Sequence, residues 1–384
     1  MKTRATHSLT LCVCLTLAAC LTLAACREDD NAINLTGSNL PVAFSVYTAA
    51  PTTAATRSTA ATTRGSSVSL DAFRTQGIGV FAFYQKAKSN GYPTDFSKYI
   101  GEPNFMYNQQ VTATTDDVEG TVTWDYTPHK YWSNNTGDQF SFFAYAPYDP
   151  TAAWEDLSLN TDLKGTYISR TFRIEDGVCD QQDFLWANPI LNMQKPAATV
   201  PVQFDFQHLC AQLTASAVMT VEATSIYITV DTVKVSGAFV TQGTVTYTTA
   251  TDAITYHNFI QETTAKDYYP FRAYYELDEE SNNVYHTFTA ETEQKTIGDP
   301  MFVFPGTQDI TLTAIVTQRS ASTSFHKSFT ITKAFPAMAL EAGRCYNFLL
   351  SITLQPVTFS GEVDAGWSAS TTSYTTTDHG NSWQ

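Results

Sequence analysis

WDYTPHKYW (residues 124–132) and FSFFAYAP (residues 140–147) are the stretches on which the reading of the fold turns. The first begins as a strand that Pro128 ends in a turn, because proline lacks the amide hydrogen a sheet ladder needs and holds its own φ fixed. The second carries aromatic or small apolar residues at nearly every position and stops at Pro147. Such a run suits a buried strand packed by aromatic rings. Together they predict a hairpin-like unit inside a β-rich core. The alternative for the same Trp and Tyr residues is an exposed platform on which sugars stack.

Upstream, GIGVFAFY (77–84) is another nearly continuous apolar run, and LPVAFSVY (40–47) alternates Val42, Phe44 and Val46 with Ala43, Ser45 and Tyr47. Strict alternation over that length predicts a strand with one buried face. The segment between them, 48–69, is Ala, Thr, Ser, Pro and Gly apart from Val68 and the two arginines Arg57 and Arg64. That composition cannot bury enough apolar surface to hold a fold, so it reads as a protease-accessible loop.

Downstream, strands are expected at 120–126, 139–146, 169–174, 202–206, 213–221, 225–235, 243–248, 286–290, 301–304, 310–317, 324–332, 346–354 and 361–367, with a loop or short helix over 180–188. Spacing near ten residues with turn signals between predicts β-sandwiches. Pro196 and Pro201 flank a plausible hinge at 195–200. The expected organisation is a leader over 1–25, a linker and first strand over 26–64, one sandwich over 65–196, a second over 197–367, and a Thr/Ser-rich tail over 368–384.

Charged residues make up only 15% of the chain, and Thr and Ser fill the gap, which favours half-buried pleated surface. The net charge of −15 argues against nucleic acid and anionic membrane surfaces as partners.

At the front, Lys2 and Arg4 precede an uncharged Leu-, Ala- and Thr-rich stretch from Ser8 to Ala25, the pattern of a secretory signal peptide. The stretch says Leu-Ala-Ala-Cys twice, ending at Cys20 and at Cys26. This resembles the bacterial lipobox, whose cysteine sulfur is alkylated by a diacylglyceryl group before cleavage. Cys26 is the expected lipidation site, since Arg27 to Asn31 after it is soluble at once, whereas cleavage at Cys20 leaves an apolar linker. Several acyl chains at about 0.8 kcal/mol per buried methylene make a lasting anchor. Of the remaining cysteines, Cys179, Cys210 and Cys345 cannot all pair internally. They read as free thiols, with a Cys179–Cys210 bridge as the alternative.

No nucleophile elbow, phosphate-binding glycine loop or zinc-binding helix motif occurs, and the histidines show no metal-ligand spacing. His208 beside Cys210 is the one candidate dyad, and a structural imidazole next to a core thiol is the plainer reading. No enzyme activity, metal or cofactor is expected.

Six features in order resemble the fimbrillin family, the FimA-like and Mfa-like type V pilins of Bacteroidota. They are Trp124 with the Tyr131–Trp132 pair; Phe142 to Pro147; Asp183 to Ala187; Phe206 with His208; Phe304–Pro305; and Gly343 to Tyr346 followed by Trp367. The resemblance spans most of 41–367. It implies two transthyretin-like β-sandwich domains in tandem and a lipoprotein precursor placed at the outer membrane, facing outward in a fimbrium. It also implies that a trypsin-like protease cuts after Arg57 or Arg64 and that the first strand, with Val42, Phe44 and Val46, then leaves. A donor strand from another fimbrial subunit takes its place, and the 368–384 tail is a candidate donor. The alternative function is a surface glycan-binding lipoprotein of a polysaccharide-uptake system.

Overall fold

The computed structural model describes residues 39–48, 76–87, 96, 101–115, 122–156, 166–219, 226–248, 253–273, 286–288, 294–320, 324, 326–352, 358–364 and 371–374. Cys26, Arg57, Arg64 and Trp367 lie outside them. Among the described residues the chain is all-β, in four sheets.

The first sheet contains β1 (Phe44–Thr48), β2 (Ile78–Gln85), β3 (Met106–Thr115), β4 (Val122–Asp125) and β5 (Gln139–Ala146). It also takes β8 (Leu185–Ala187), β9 (Ile190–Met193) and β10 (Val202–His208). Its order is β2-β3-β4-β1-β10-β8-β5, with β9 beside β5, and β2 pairs back onto β5. Seven strands thus close into a barrel-like ring where an open sandwich was expected. The closure runs along the whole of β2 and β5, from Gly79 opposite Tyr145 to Gln85 opposite Gln139.

Every residue of β2 and of β5 is buried, which explains their near-continuous apolar sequence. One face points into the ring, where Ile78, Val80, Ala82, Phe140, Phe142 and Ala144 meet Val42, Phe44, Trp132, Val202 and Phe204. The other face, with Phe81, Phe83, Phe143 and Tyr145, packs on Phe172, Val245 and Tyr247 of the neighbouring sheet. Gly79 is required on that outer face: a Cβ there would lie 2.2 Å from the Tyr145 ring. The neighbouring sheet is ordered β14 (Ala253–Gln261), β13 (Val240–Thr248), β7 (Thr166–Arg173), β6 (Glu155–Asp156).

The remaining described strands form two facing sheets. One is β15 (Lys266–Arg272), β12 (Ile226–Gly237), β19 (Gly306–Ser320), β20 (His326–Leu340), with β16 (His286–Phe288) beside β12. The other is β17 (Lys295–Thr296), β11 (Ala211–Met219), β21 (Cys345–Ile352), β22 (Thr358–Asp364), β23 (Thr371–Tyr374), with β18 (Met301–Val303) beside β11. Ala217, Val230, Val316 and Leu350 share one core cluster, and Leu213, Leu312 and Phe348 another.

The sheets do not divide at 196/197. The 195–200 segment joins β9 to β10, and both belong to the first sheet, where Val202, Phe204 and Phe206 alternate into the ring interior. The chain crosses to the second half at Leu209–Cys210, and the β13–β14 hairpin, from the second half of the sequence, returns to cover the ring. Part of the expected free tail is β23, which pairs with β22 from Gly361–Tyr374 to Asp364–Thr371.

Candidate functional site: the β1 seam

β1 lies in the middle of the ring. On one side it runs parallel to β10 in continuous register, from Phe44 opposite Val202 to Thr48 opposite Phe206. On the other side it meets β4 antiparallel through Phe44 and Trp124 alone. The residues before β1 are held by the segment after the Pro128 turn: Val42 N donates to Lys130 O at 2.9 Å and Trp132 N donates to Leu40 O at 3.0 Å. β1 is therefore the bridge between β4 and β10, and its neighbours come from distant parts of the sequence.

The side chains expected to plug a groove lie on β1 and the residues just before it. Val42 is buried, Phe44 is buried, and Val46 is half-buried against the same cluster, with Leu40 continuing the row. Phe44 touches rings on three elements: Phe204 of β10, stacked with centroids 5.5 Å apart; Phe142 of β5, edge-on at 6.0 Å; and Tyr126 after β4, at 5.3 Å. Aromatic pairs at such separations favour offset or edge geometry.

Tyr126 also ties down the backbone. Its hydroxyl donates to Val42 O at 2.9 Å and accepts from Lys130 N at 3.2 Å. Burial pushes the phenol up to about 12, so it stays protonated and a donor at neutral pH. Neither Tyr126 nor Lys130 had a role from the sequence, because nothing local shows that the turn at Pro128 brings them to Val42.

The proposed sugar platform is part of this wall. Trp132 is fully buried with its ring edge-on to Phe140 and Phe142, Tyr126 is buried, and Trp124 and Tyr131 are half-buried. Trp132 and Tyr126 belong to the core, and Trp124 packs against it.

His208 and Cys210 do not form a reactive pair. His208 Nδ1 lies 2.5 Å from Oδ2 of Asp183, a carboxylate at the junction where β10 passes into β11. Burial, then the nearby Asp183 charge, holds the Cys210 thiol well above its ordinary range, the reverse of what a nucleophilic thiolate needs. Cys179 is exposed and Cys345 is half-buried, and the Cys179–Cys210 bridge is not formed.

The fimbrillin-like family model matches residues 49–367. A fimbrium subunit, Fim1C of Phocaeicola vulgatus, is 34% identical over 88 residues, which are 23% of this chain and 20% of that relative. The chain thus aligns with about a fifth of that relative's length. The crystal structure of a fimbrial protein from Bacteroides vulgatus superposes with a TM-score of 0.55 at 18% identity, covering 86% of this chain and 100% of that one. It shares the fold.

Proposed function

We propose, from the premise that this chain belongs to the fimbrillin-like family, that it is a structural subunit of a type V fimbria. In this reading it is exported as a lipoprotein through Cys26 to the outer membrane, faces outward, and joins other fimbrial subunits by exchanging β1 for a donor strand. Its two halves correspond to the family's pair of transthyretin-like units, the first closed by β1.

The observation that carries the reading is the seam. A closed ring has no free edge, so it resists pairing with other chains. Without β1 the ring opens between β4 and β10 and acquires two unpaired edges. It also loses the burial of Val42 and Phe44, roughly 1.5–3 kcal/mol for each side chain. An extended segment from another chain repairs both losses at once, by β-augmentation. The linker from β1 to β2 holds Arg57 and Arg64, where a trypsin-like protease has its substrate residue. The peptide bonds after these arginines are the proposed cuts, and the cost of the open seam drives polymerisation.

The test is limited trypsin treatment of the precursor, with N-terminal sequencing of the product and electron microscopy of surface fibres. Cleavage after Arg57 or Arg64 followed by fibre growth is the expected result. Normal fibres from an Arg57→Ala, Arg64→Ala double variant would sink the processing step, and fibres that retain residues 40–48 in their original chain would sink the strand exchange.

A further inference from the structure

We infer that the outer edge of β20 fits a second copy of this chain, strand against strand, and that Lys333 holds it closed to that pairing. The inference stands apart from strand exchange at β1, because it concerns the second half of the molecule.

Among the described strands β20 pairs on one side only, with β19, and at 15 residues it is the longest such edge. From His326 opposite Arg319 to Phe335 opposite Ile310 its register is unbroken. A long regular edge is a template of backbone donors and acceptors for another strand. The far end is less suited to pairing. Pro336 has no amide hydrogen to give, and Ala337, at φ +49, sits where the register with β19 slips, its N–H donating to Asp309 Oδ1 at 2.8 Å. The regular stretch is therefore 326–335.

Side chains on that stretch alternate. Thr330, Thr332 and Ala334 are exposed. Phe329, Ile331, Lys333 and Phe335 are half-buried and stand opposite the buried Val316, Ala314, Leu312 and Ile310 of β19. Ile331 and Phe335 pack on the core between the two sheets, and the Phe335 ring lies 5.1 Å from that of Phe348. The inward row is thus apolar except at Lys333. A second β20 laid antiparallel along this edge extends the sheet, and the core continues only if the two apolar rows share a face. Lys333 is the midpoint of the strand, so full overlap sets it opposite the same lysine of the second copy. Sliding the pair toward the regular stretch sets it opposite Ile331 or Phe329 instead. Each of these registers carries an ammonium into the apolar row, and full overlap adds like charges directly opposite each other. An inward charge on an edge strand therefore separates the single chain from the sideways pair. Lys327 adds a second charge at the near end, with its amine 5.1 Å from the Phe329 ring centroid. In a fibre built by strand addition, a closed β20 edge keeps growth in one line.

The experiment uses the uncut full chain, held in one mild detergent, as wild type and as Lys333→Val, Lys333→Met and Lys333→Arg. Sedimentation velocity over a range of concentrations reads the association, hydrogen exchange locates it, and thermal melts show that each variant is folded. Valine suits a strand, and methionine keeps a long flexible stem without the charge, so a packing fault peculiar to one of them does not decide the result. Lys333→Val and Lys333→Met are expected to dimerise about a hundredfold more tightly than wild type, the scale of relieving a buried unpaired charge, with slowed exchange at 326–335. Lys333→Arg is expected to stay monomeric, as wild type does. Neutral variants that both remain monomeric overturn the inference, and so does a Lys333→Arg chain that dimerises as tightly as they do. Association without protection at 326–335, or with melting far below wild type, assigns the contact to another surface or to unfolded chain and overturns it equally.

Discussion

His208 reaches back from the last position of β10 to set Nδ1 2.5 Å from Asp183 Oδ2, and this contact sits where the ring ends and the second half begins. Around it Leu209 N donates to Phe184 O at 2.8 Å and Gly343 N to Cys210 O at 2.8 Å. Phe184 stacks on Phe304 of the second half, with centroids 6.3 Å apart. One buried carboxylate, one imidazole and three backbone segments between strands thus set the junction of the two halves. Truncating His208 leaves Asp183 buried with its main partner gone. The His208→Ala variant is expected to lose about 3 kcal/mol, the low end for breaking a buried pair, because the imidazole remains 31% exposed. Urea unfolding of His208→Ala, Asp183→Asn and the double variant checks this. The double should cost less than the sum of the singles, and strict additivity would mean that the contact contributes nothing.

Phe44 is the residue on which closure of the ring most depends. Phe44→Ala removes three ring contacts from a dense wall, and a change of this kind in a core costs about 3–5 kcal/mol. Because β1 touches β4 through one residue pair, local opening of the seam should rise more than global unfolding. Hydrogen exchange at 200–206 and at 130–132 is expected to accelerate in Phe44→Ala, with β19 and β21 unchanged. Uniform acceleration across both halves would contradict this.

Asp299 gives a pH signature. Burial raises its carboxyl from the ordinary value to about 6. A raised folded value means that the folded state binds the proton more tightly than the unfolded chain. The stabilisation is present in full below the ordinary carboxylate range and is lost as pH rises through about 6. Thermal melts between pH 4 and pH 7 should show this loss, and Asp299→Asn should flatten that part of the profile. A variant with the same slope as wild type would exclude Asp299 as the source.

The thiols are expected to react in an order set by burial. Maleimide labelling of the native protein followed by peptide mapping should modify Cys179 first, and Cys210 only once the chain unfolds. Rapid labelling of Cys210 in the native state would contradict its enclosed position.

Much of the strand content was legible in the sequence because side-chain alternation is a local signal. Residues 139–146 are read correctly to the residue, and 40–47, 77–84 and 202–206 are each displaced or shortened by only a few positions. The strands missed are those with weak or broken patterns. β3 carries Gln109, Gln110 and several threonines, and Asn108 adopts φ +46 where its register with β2 slips. β15 contains Pro270, which usually argues against a ladder but is tolerated at a sheet edge.

The sequence by itself determined that the chain is all-β, that a strand with one apolar face starts near the amino end, and that two arginines follow it. Those are properties of neighbours along the chain, fixed by the period of side chains on an extended backbone. Only the tertiary structure decided that β1 pairs in parallel with β10, that β2 closes onto β5, and that Tyr126 caps Val42. The pairs Phe44–Val202 and Val42–Lys130 join residues far apart in sequence, and no local periodicity encodes which strand will lie beside which. Partner choice came from shape: the ring interior accepted Val42, Phe44, Val202 and Phe204 together, and the same packing that hid those residues made one short strand the bridge on which the seam depends.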